Sequence, residues 1–295
     1  MSAVNMTAIV PEGAPGHQEG PLLPPNYRLH RRFDRIGRLV GDPGMAALAR
    51  SHVVVIGLGG VGSFAAEALA RSGVGRMTLV DFDLVCVTNT NRQLQAMRTT
   101  VGQPKATVLA ERLRQIQPDL TVRAVPLFYE ARIADSLLSG GELGRPDFVV
   151  DAIDNVTAKC HLLFTTRQRG LPVVSATGAA GRWDPTQVKV ADLAETFNDP
   201  LAASVRRVLR EKYDLPQKGP FGIPAVFSSE RPSPPRALAY DGTEGFSCVC
   251  PNGENDVHSC EERSVIWGNA AFVTGTFGLV AASVVVRALS GGPQP

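Results

Sequence analysis

The sequence predicts an α/β fold: a Rossmann-like, mainly parallel sheet with helices on both faces and a C-terminal elaboration. Three observations predict it. An apolar, β-branched run, Val53–Ile56, leads into Gly57-Leu-Gly-Gly-Val-Gly62 and an Ala-rich stretch, Ser63–Ser72. That is the strand, phosphate turn and helix of a nucleotide-binding βαβ unit. Strand-like and helix-like segments then alternate through Ala176, which calls for crossover helices and parallel strands. Finally, Asp81 closes the second strand-like run, where such folds place an acidic residue against a ribose.

Each element follows from local chemistry. Residues 1–25 mix Pro, Gly and polar side chains without a charged start and long apolar run; they are expected to be a flexible lead-in rather than a secretory leader. One folded domain is expected over 26–295. Residues 26–50 carry six arginines and should end in a short helix. Gly73 stops the first crossover helix, and Met77–Val80 is the second strand. Lys105–Ile116 is an amphipathic helix ended near Pro118, and Leu120–Val125 is a strand. "DFVVDAIDN" is a buried strand that reaches acidic residues at its C-terminal end; Thr157–Arg169 is helix and Leu171–Ala176 strand. Beyond Gly181 the rhythm changes. Strand-like "DPTQVKVADL" and a basic helix, "PLAASVRRVLREKYD", precede a Pro/Gly-rich stretch. Residues 182–262 are therefore expected to be a substrate-side insertion, a long ordered loop region with short strands, partly mobile.

Composition bounds the function. A chain of 295 residues can bury a full core. The net charge of +2, from 30 basic and 28 acidic residues, excludes a polycation, so any nucleic-acid contact must come from a local patch. Five cysteines and no secretory leader point to a reducing, cytoplasmic setting. Ala270–Leu289 approaches membrane-spanning length, but it holds Thr274, Gly275, Thr276, Gly278 and Arg287. A buried helix closing the core is expected rather than stable membrane insertion; weak peripheral membrane contact stays open.

Gly57, Gly59 and Gly62 permit a tight turn and close approach of a phosphate to backbone N–H groups. That signal alone is shared with dehydrogenases. The polar groups beyond it are not needed there: Asp83, Thr88, Asn89, Asn91, Arg92 and Gln93, followed by Lys105. Arg and Lys suit a triphosphate, and the amides suit phosphate or carboxylate oxygens. Asp154, at the end of a strand, is expected to ligate Mg²⁺, and Asp83 either positions its loop or helps bind that metal. Asn155 caps the following helix, touches the nucleotide, or does both. Asp151 is read as a turn cap. Cys86 and Cys160 are expected to pack rather than react.

The stretches "GLGGVGSFAAEALARSGVGRMTLVDFD", "TNTNRQ", "VGQPKA" and "DAIDN" together resemble the ATP-binding domain of ubiquitin-activating enzymes and their bacterial relatives, the ThiF/MoeB/HesA superfamily. Its members adenylate a carboxylate. The similarity spans about Arg32 to Thr177. It implies that Gly60, Asp81, Thr88 to Arg92, Lys105, Asp154 and Asn155 line an ATP site. It also implies a homodimer, in which an N-terminal arginine of the partner subunit, Arg32 or Arg35 with Arg38 as a spare, reaches the phosphates. Longer markers, "GAAGRWDPTQVKVADLAETFNDPLAASVRRVLR" and "TGTFGLVAA", resemble the tRNA threonylcarbamoyladenosine dehydratase branch. Members of that branch use ATP to cyclise a modified adenosine beside the anticodon. The resemblance then implies tRNA as partner, with Arg35, Arg92, Lys105, Asp154 and Cys260 as the catalytic set.

Alternatives remain. The chain could adenylate the C-terminal glycine of a ubiquitin-like sulfur-carrier protein, or serve as a non-catalytic scaffold for nucleotide and a cysteine-desulfurase, sulfur-relay partner. Cys248, Cys250, His258 and Cys260 form C-x-C-x7-H-x-C, four ligand types suited to Zn²⁺ at a spacing that is not a standard one. Cys260 could instead lie beside the active site. Arg206, Arg207, Arg210 and Lys212 form either a solvated helix face or an RNA backbone contact.

Overall fold

A computed structural model describes residues 29–238 and 266–293, plus the backbone pairing of Glu254–Asn255 with His258–Ser259. The expected lead-in and the side chains of Cys248, Cys250, His258 and Cys260 lie outside the described residues.

Helix α1 (Asp34–Arg50) precedes β1 (His52–Ile56), α2 (Gly62–Arg71), β2 (Arg76–Val80), α3 (Lys105–Ile116), β3 (Thr121–Val125), α4 (Ala131–Leu138), β4 (Phe148–Asp151), α5 (Val156–Gln168) and β5 (Val173–Ala176). The elaboration adds β6 (Val188–Asp192), α6 (Pro200–Lys212), β7 (Pro224–Ser228), the short hairpin strands β8 and β9, and α7 (Ala271–Ser290). Seven strands form one sheet in the order β3-β2-β1-β4-β5-β7-β6, with only β6 antiparallel.

Alternation along the buried strands builds two cores. Val53 and Val55 face one side with residues of α1, α2, α3 and α7; Val54 and Ile56 face the other with residues of α4, α5 and α6. Both faces are covered, as a parallel sheet requires. Cys86 and Cys160 are buried, and burial pushes the Cys160 thiol up to about 11.

The structure corrects one helix and adds two elements. The N-terminal helix runs 17 residues rather than a short stretch, kinked at Gly41 (φ 71°) two residues before Pro43. Helix α4 has no counterpart in the sequence reading. The Pro/Gly-rich stretch also contains β7, a fully buried strand inserted between β5 and the edge. Pro224 masks it, but as the first residue of the strand it removes no interior ladder bond.

Helix α7 is the apolar segment near membrane-spanning length; 56% of its most apolar window is buried in the fold. It packs on α2 through small residues. A Cβ on Gly278 would lie 2.3 Å from the Val61 carbonyl oxygen, and one on Gly275 would lie 3.1 Å from the Phe64 ring. Gly278→Ala should therefore cost about 1–3 kcal/mol by overpacking. Gly268→Ala, which meets nothing within 4 Å, is the matched control. Urea denaturation of both variants checks the difference.

Candidate active site

The parallel strands end along one edge, and the candidate residues gather there. The Gly57 amide donates to Val80 O at 2.9 Å, tying the glycine turn to the next strand. Gly57 (φ +88°) admits no side chain: a Cβ would lie 2.5 Å from Ala152 O, and one on Gly62 would lie 1.8 Å from Gly57 O. These glycines fold the backbone onto itself so that its amides open outward at the start of α2.

Asp81 joins this turn to the polar loop. Its carboxylate accepts from Leu58 N at 2.6 Å and from Asp83 N at 2.9 Å. Burial holds its pKa above the ordinary carboxylate value, opposed by the nearby Lys105 charge. Lys105 Nζ in turn pairs with Asp83 at 2.6 Å. Lys105 is the first residue of α3, where the helix dipole disfavours a cation. The Asp83 carboxylate offsets that mismatch.

The polar loop divides its residues between scaffold and surface. Asn89 is buried, and its Oδ1 accepts from Cys86 N at 3.0 Å. That oxygen therefore staples the loop to the start of its own turn. The Thr88 hydroxyl donates to Cys86 Sγ at 3.1 Å. The Gln93 amide lies over Gly59, 3.9 Å from where a Cβ would stand. Asn91 donates to Asn269 O at 2.9 Å. Arg92 donates to Thr88 O and Asn91 Oδ1, both at 3.0 Å, and its stem lies against Gly60. Gly59, Gly60, Gln93 and Arg92 thus form one wall.

The opposite wall follows β4. Asp151 accepts from Ile153 N at 3.1 Å, the turn cap expected for it. It also receives the Ser175 hydroxyl at 2.7 Å and forms an ion pair with Lys159 at 2.7 Å, both partners fully buried. Lys159 Nζ donates to Ile153 O at 2.9 Å. One lysine on α5 therefore fixes the loop that carries Asp154. Sequence reasoning passed over Lys159; a lysine among the apolar residues of a buried helix face was the available signal. Asp154 is exposed and makes no hydrogen bond or ion pair with the described residues. Asn155 Oδ1 accepts from Ala158 N at 3.0 Å, capping α5. No group of three or more His, Cys, Asp or Glu side chains that could hold a metal occurs among the described residues.

Arg35 is elsewhere. Arg32 donates to Ile116 O at the end of α3, and the Phe33 ring lies beside Gly73 at the end of α2. Both helix ends mark the amino edge of the sheet, about 17 Å from the glycine turn across a five-residue strand. The Arg35 of one chain is thus not brought to that chain's own turn.

Residues 33–295 match the model of the ThiF family. The chain is 42% identical over 259 residues to tRNA threonylcarbamoyladenosine dehydratase of Escherichia coli, covering 87% of this chain and 92% of that protein. The Haemophilus influenzae protein of the same name is 42% identical over 270 residues, covering 90% and 94%. The crystal structure of the E. coli dehydratase in complex with ATP superposes with a TM-score of 0.74 at 40% identity, covering 88% of this chain and 94% of that one.

Breaking the buried ion pair leaves one charge uncompensated. Lys159→Met should destabilise the protein by about 3–5 kcal/mol. Asp151→Asn combined with Lys159→Met should lose less than the single variant. Urea unfolding of the two single variants and the double variant measures this coupling.

Proposed function

The chain belongs to the ThiF family, and from that premise we propose that it is an ATP-dependent dehydratase that cyclises threonylcarbamoyladenosine in tRNA through carboxylate adenylation. Near-full-length similarity to dehydratases of that name carries the reading. The convergence of the glycine turn, Asp81, Arg92 and Lys105 on one edge supports it.

The chemistry needs little beyond positioning and charge. The threonyl carboxylate is a poor electrophile. Its oxygen attacks the α-phosphorus of ATP, pyrophosphate leaves, and the carboxyl oxygen becomes part of a good leaving group. A nitrogen or oxygen of the same side chain then attacks the activated carbonyl carbon. The ring closes, AMP leaves, and the proton of the attacking group passes to solvent. This second step is intramolecular, so orientation matters more than a strong base.

In this reading the backbone amides after Gly57 cradle phosphate, and Asp81 keeps acceptor capacity for ribose hydroxyls. Arg92 and Lys105 stabilise charge developing on the phosphates. Asp154 suits Mg²⁺, a hard cation commonly held by one or two carboxylates plus substrate phosphates; its exposed, unpartnered carboxylate fits that coordination. When bound, the metal would neutralise phosphate charge. Arg35 would come from a second copy, which its place on the amino edge supports.

Activation of a sulfur-carrier protein would share the first half-reaction only. Purified protein with ATP, Mg²⁺ and threonylcarbamoyladenosine-bearing tRNA should release AMP and yield the cyclic nucleoside, detected by nucleoside mass spectrometry. AMP release only in the presence of a carrier protein's C-terminal glycine would overturn the proposal. Arg92→Ala should lower turnover by about 10²–10³-fold, the cost of a lost oxyanion-type donor.

Use of Arg35 in trans has its own test. Arg35→Ala and Asp154→Asn should each be inactive alone. Mixed and re-equilibrated, they should recover about a quarter of wild-type activity, because half of the dimers carry one intact site.

A further inference from the structure

Both tryptophans of the chain lie on its surface: Trp183 is 65% and Trp267 40% exposed. Tryptophan is a largely buried residue type on average, so exposing both calls for a reason. They lie on the same edge. Arg182, beside Trp183, donates to Gly178 O just past β5 and to Ser228 O at the end of β7. Trp267 lies against Gly181: a Cβ there would come within 3.1 Å of its ring. Two residues further, Asn269 O receives the Asn91 amide of the nucleotide loop. The two indoles therefore mark a continuous path from the elaboration to the nucleotide wall.

A basic pocket opens beside that path. It measures about 410 Å³ and is lined by Asn198, Arg206, Arg231 and Pro232 among others. Phe197 next to it is 46% exposed, with its ring edge-on to Phe227. Arg206 belongs to α6 but reaches back to the Thr196 hydroxyl, as helical side chains lean toward the N-terminus. Arg231 is exposed. The one carboxylate lining the pocket, Asp199, is already neutralised: it caps α6 through Ala202 N, accepts from Gly178 N and pairs with Arg182.

The helix does not present a single basic patch. The Arg210 guanidinium stacks over Phe221, whose amide is held by Asp192 at the carboxyl end of β6, opposite the start of β7. Arg210 therefore leans toward the loop before β7, one helical turn on from Arg206, which leans back toward Thr196. Of the basic residues of α6, Arg206 lines the pocket, while Arg210 is engaged with Phe221.

We propose that Trp183, Trp267 and Phe197 stack unpaired bases of the RNA substrate while Arg206 and Arg231 hold its phosphates, guiding the strand that flanks the modified nucleoside toward the glycine turn. This rests on the RNA substrate proposed above. From β1 to β7 is three strand spacings, about 15 Å, so a strand bound at the pocket reaches the nucleotide wall within a few residues. Unstacked bases on exposed aromatic faces, with arginines along the backbone, is how single-stranded RNA is held. An acidic protein would use the arginines but has no need of three exposed rings.

The test is a titration of full-length protein with an anticodon-arm RNA carrying threonylcarbamoyladenosine, read by intrinsic tryptophan fluorescence and by anisotropy of labelled RNA. RNA should quench the fluorescence, and ATP alone should not. Trp183→Leu and Trp267→Leu should each weaken RNA binding about tenfold. Arg231→Glu should raise KM for RNA with little change in kcat, and reduce the salt slope of binding by about one. ATP affinity should be unchanged in all three. RNA affinities within twofold of wild type in all three variants would overturn the proposal. So would variants that bind RNA normally but lose stimulation by a protein partner, which would make the surface a protein interface. The two readings fail separately. Wild-type protein that binds the arm through these residues without cyclising it defeats the proposed reaction and keeps the surface. Wild-type protein that cyclises the RNA while the variants bind normally does the reverse.

Discussion

The buried pair between Asp151 and Lys159 governs the geometry of the site. Two charges have been taken out of water at the end of β4, and neither is exposed at all. Such a pair contributes little net stability, because desolvation offsets most of the attraction. What it supplies is shape. Asp151 accepts Ile153 N while Lys159 donates to Ile153 O, so one residue is gripped through both of its backbone polar groups. The chain must then turn out at Asp154. The same turn brings Ala152 O up to Gly57 so closely that no Cβ fits there. The glycine turn and the acidic loop are thus two surfaces of one contact.

A second charged node, Arg182 with Asp199, repeats the device two strands along. Arg182 donates to the carbonyls of Gly178, Ser228 and Asn198 and pairs with Asp199. Asp199 in turn caps α6. The elaboration is therefore locked to the same edge as the nucleotide wall rather than hinged to it. Burial lowers the Arg182 pKa from its ordinary value, yet a guanidinium stays charged throughout the physiological range. The lock does not respond to ordinary changes of pH.

Local pattern made the first half of the chain legible. Val53–Ile56, the glycine turn and Asp81 have short-range signatures, and their placement follows from strand topology alone. The polar loop was readable in composition but not in direction: nothing in "TNTNRQ" tells that Asn89 turns inward to Cys86 while Asn91 turns out to Asn269. Lys159 and Arg182 were passed over because each acts on residues far from it in sequence or packed from another element. Strand β7 was expected only as an unplaced short strand because Pro and Gly flank it, although it is as fully buried as β1. The kink at Gly41 depends on a single φ angle that composition does not report.

Helix α7 carries a temporal consequence. It is the last helix among the described residues, yet it seals the first βαβ unit: Thr274 faces Gly60, and Gly278 abuts Val61. A ribosome making this chain has therefore exported the glycine turn long before its cover exists. During that interval α2 exposes an apolar flank that only residues 271–290 can hide. Nascent chains are then expected to need shielding by a chaperone, and a nucleotide grip becomes competent only once residues 271–290 have emerged.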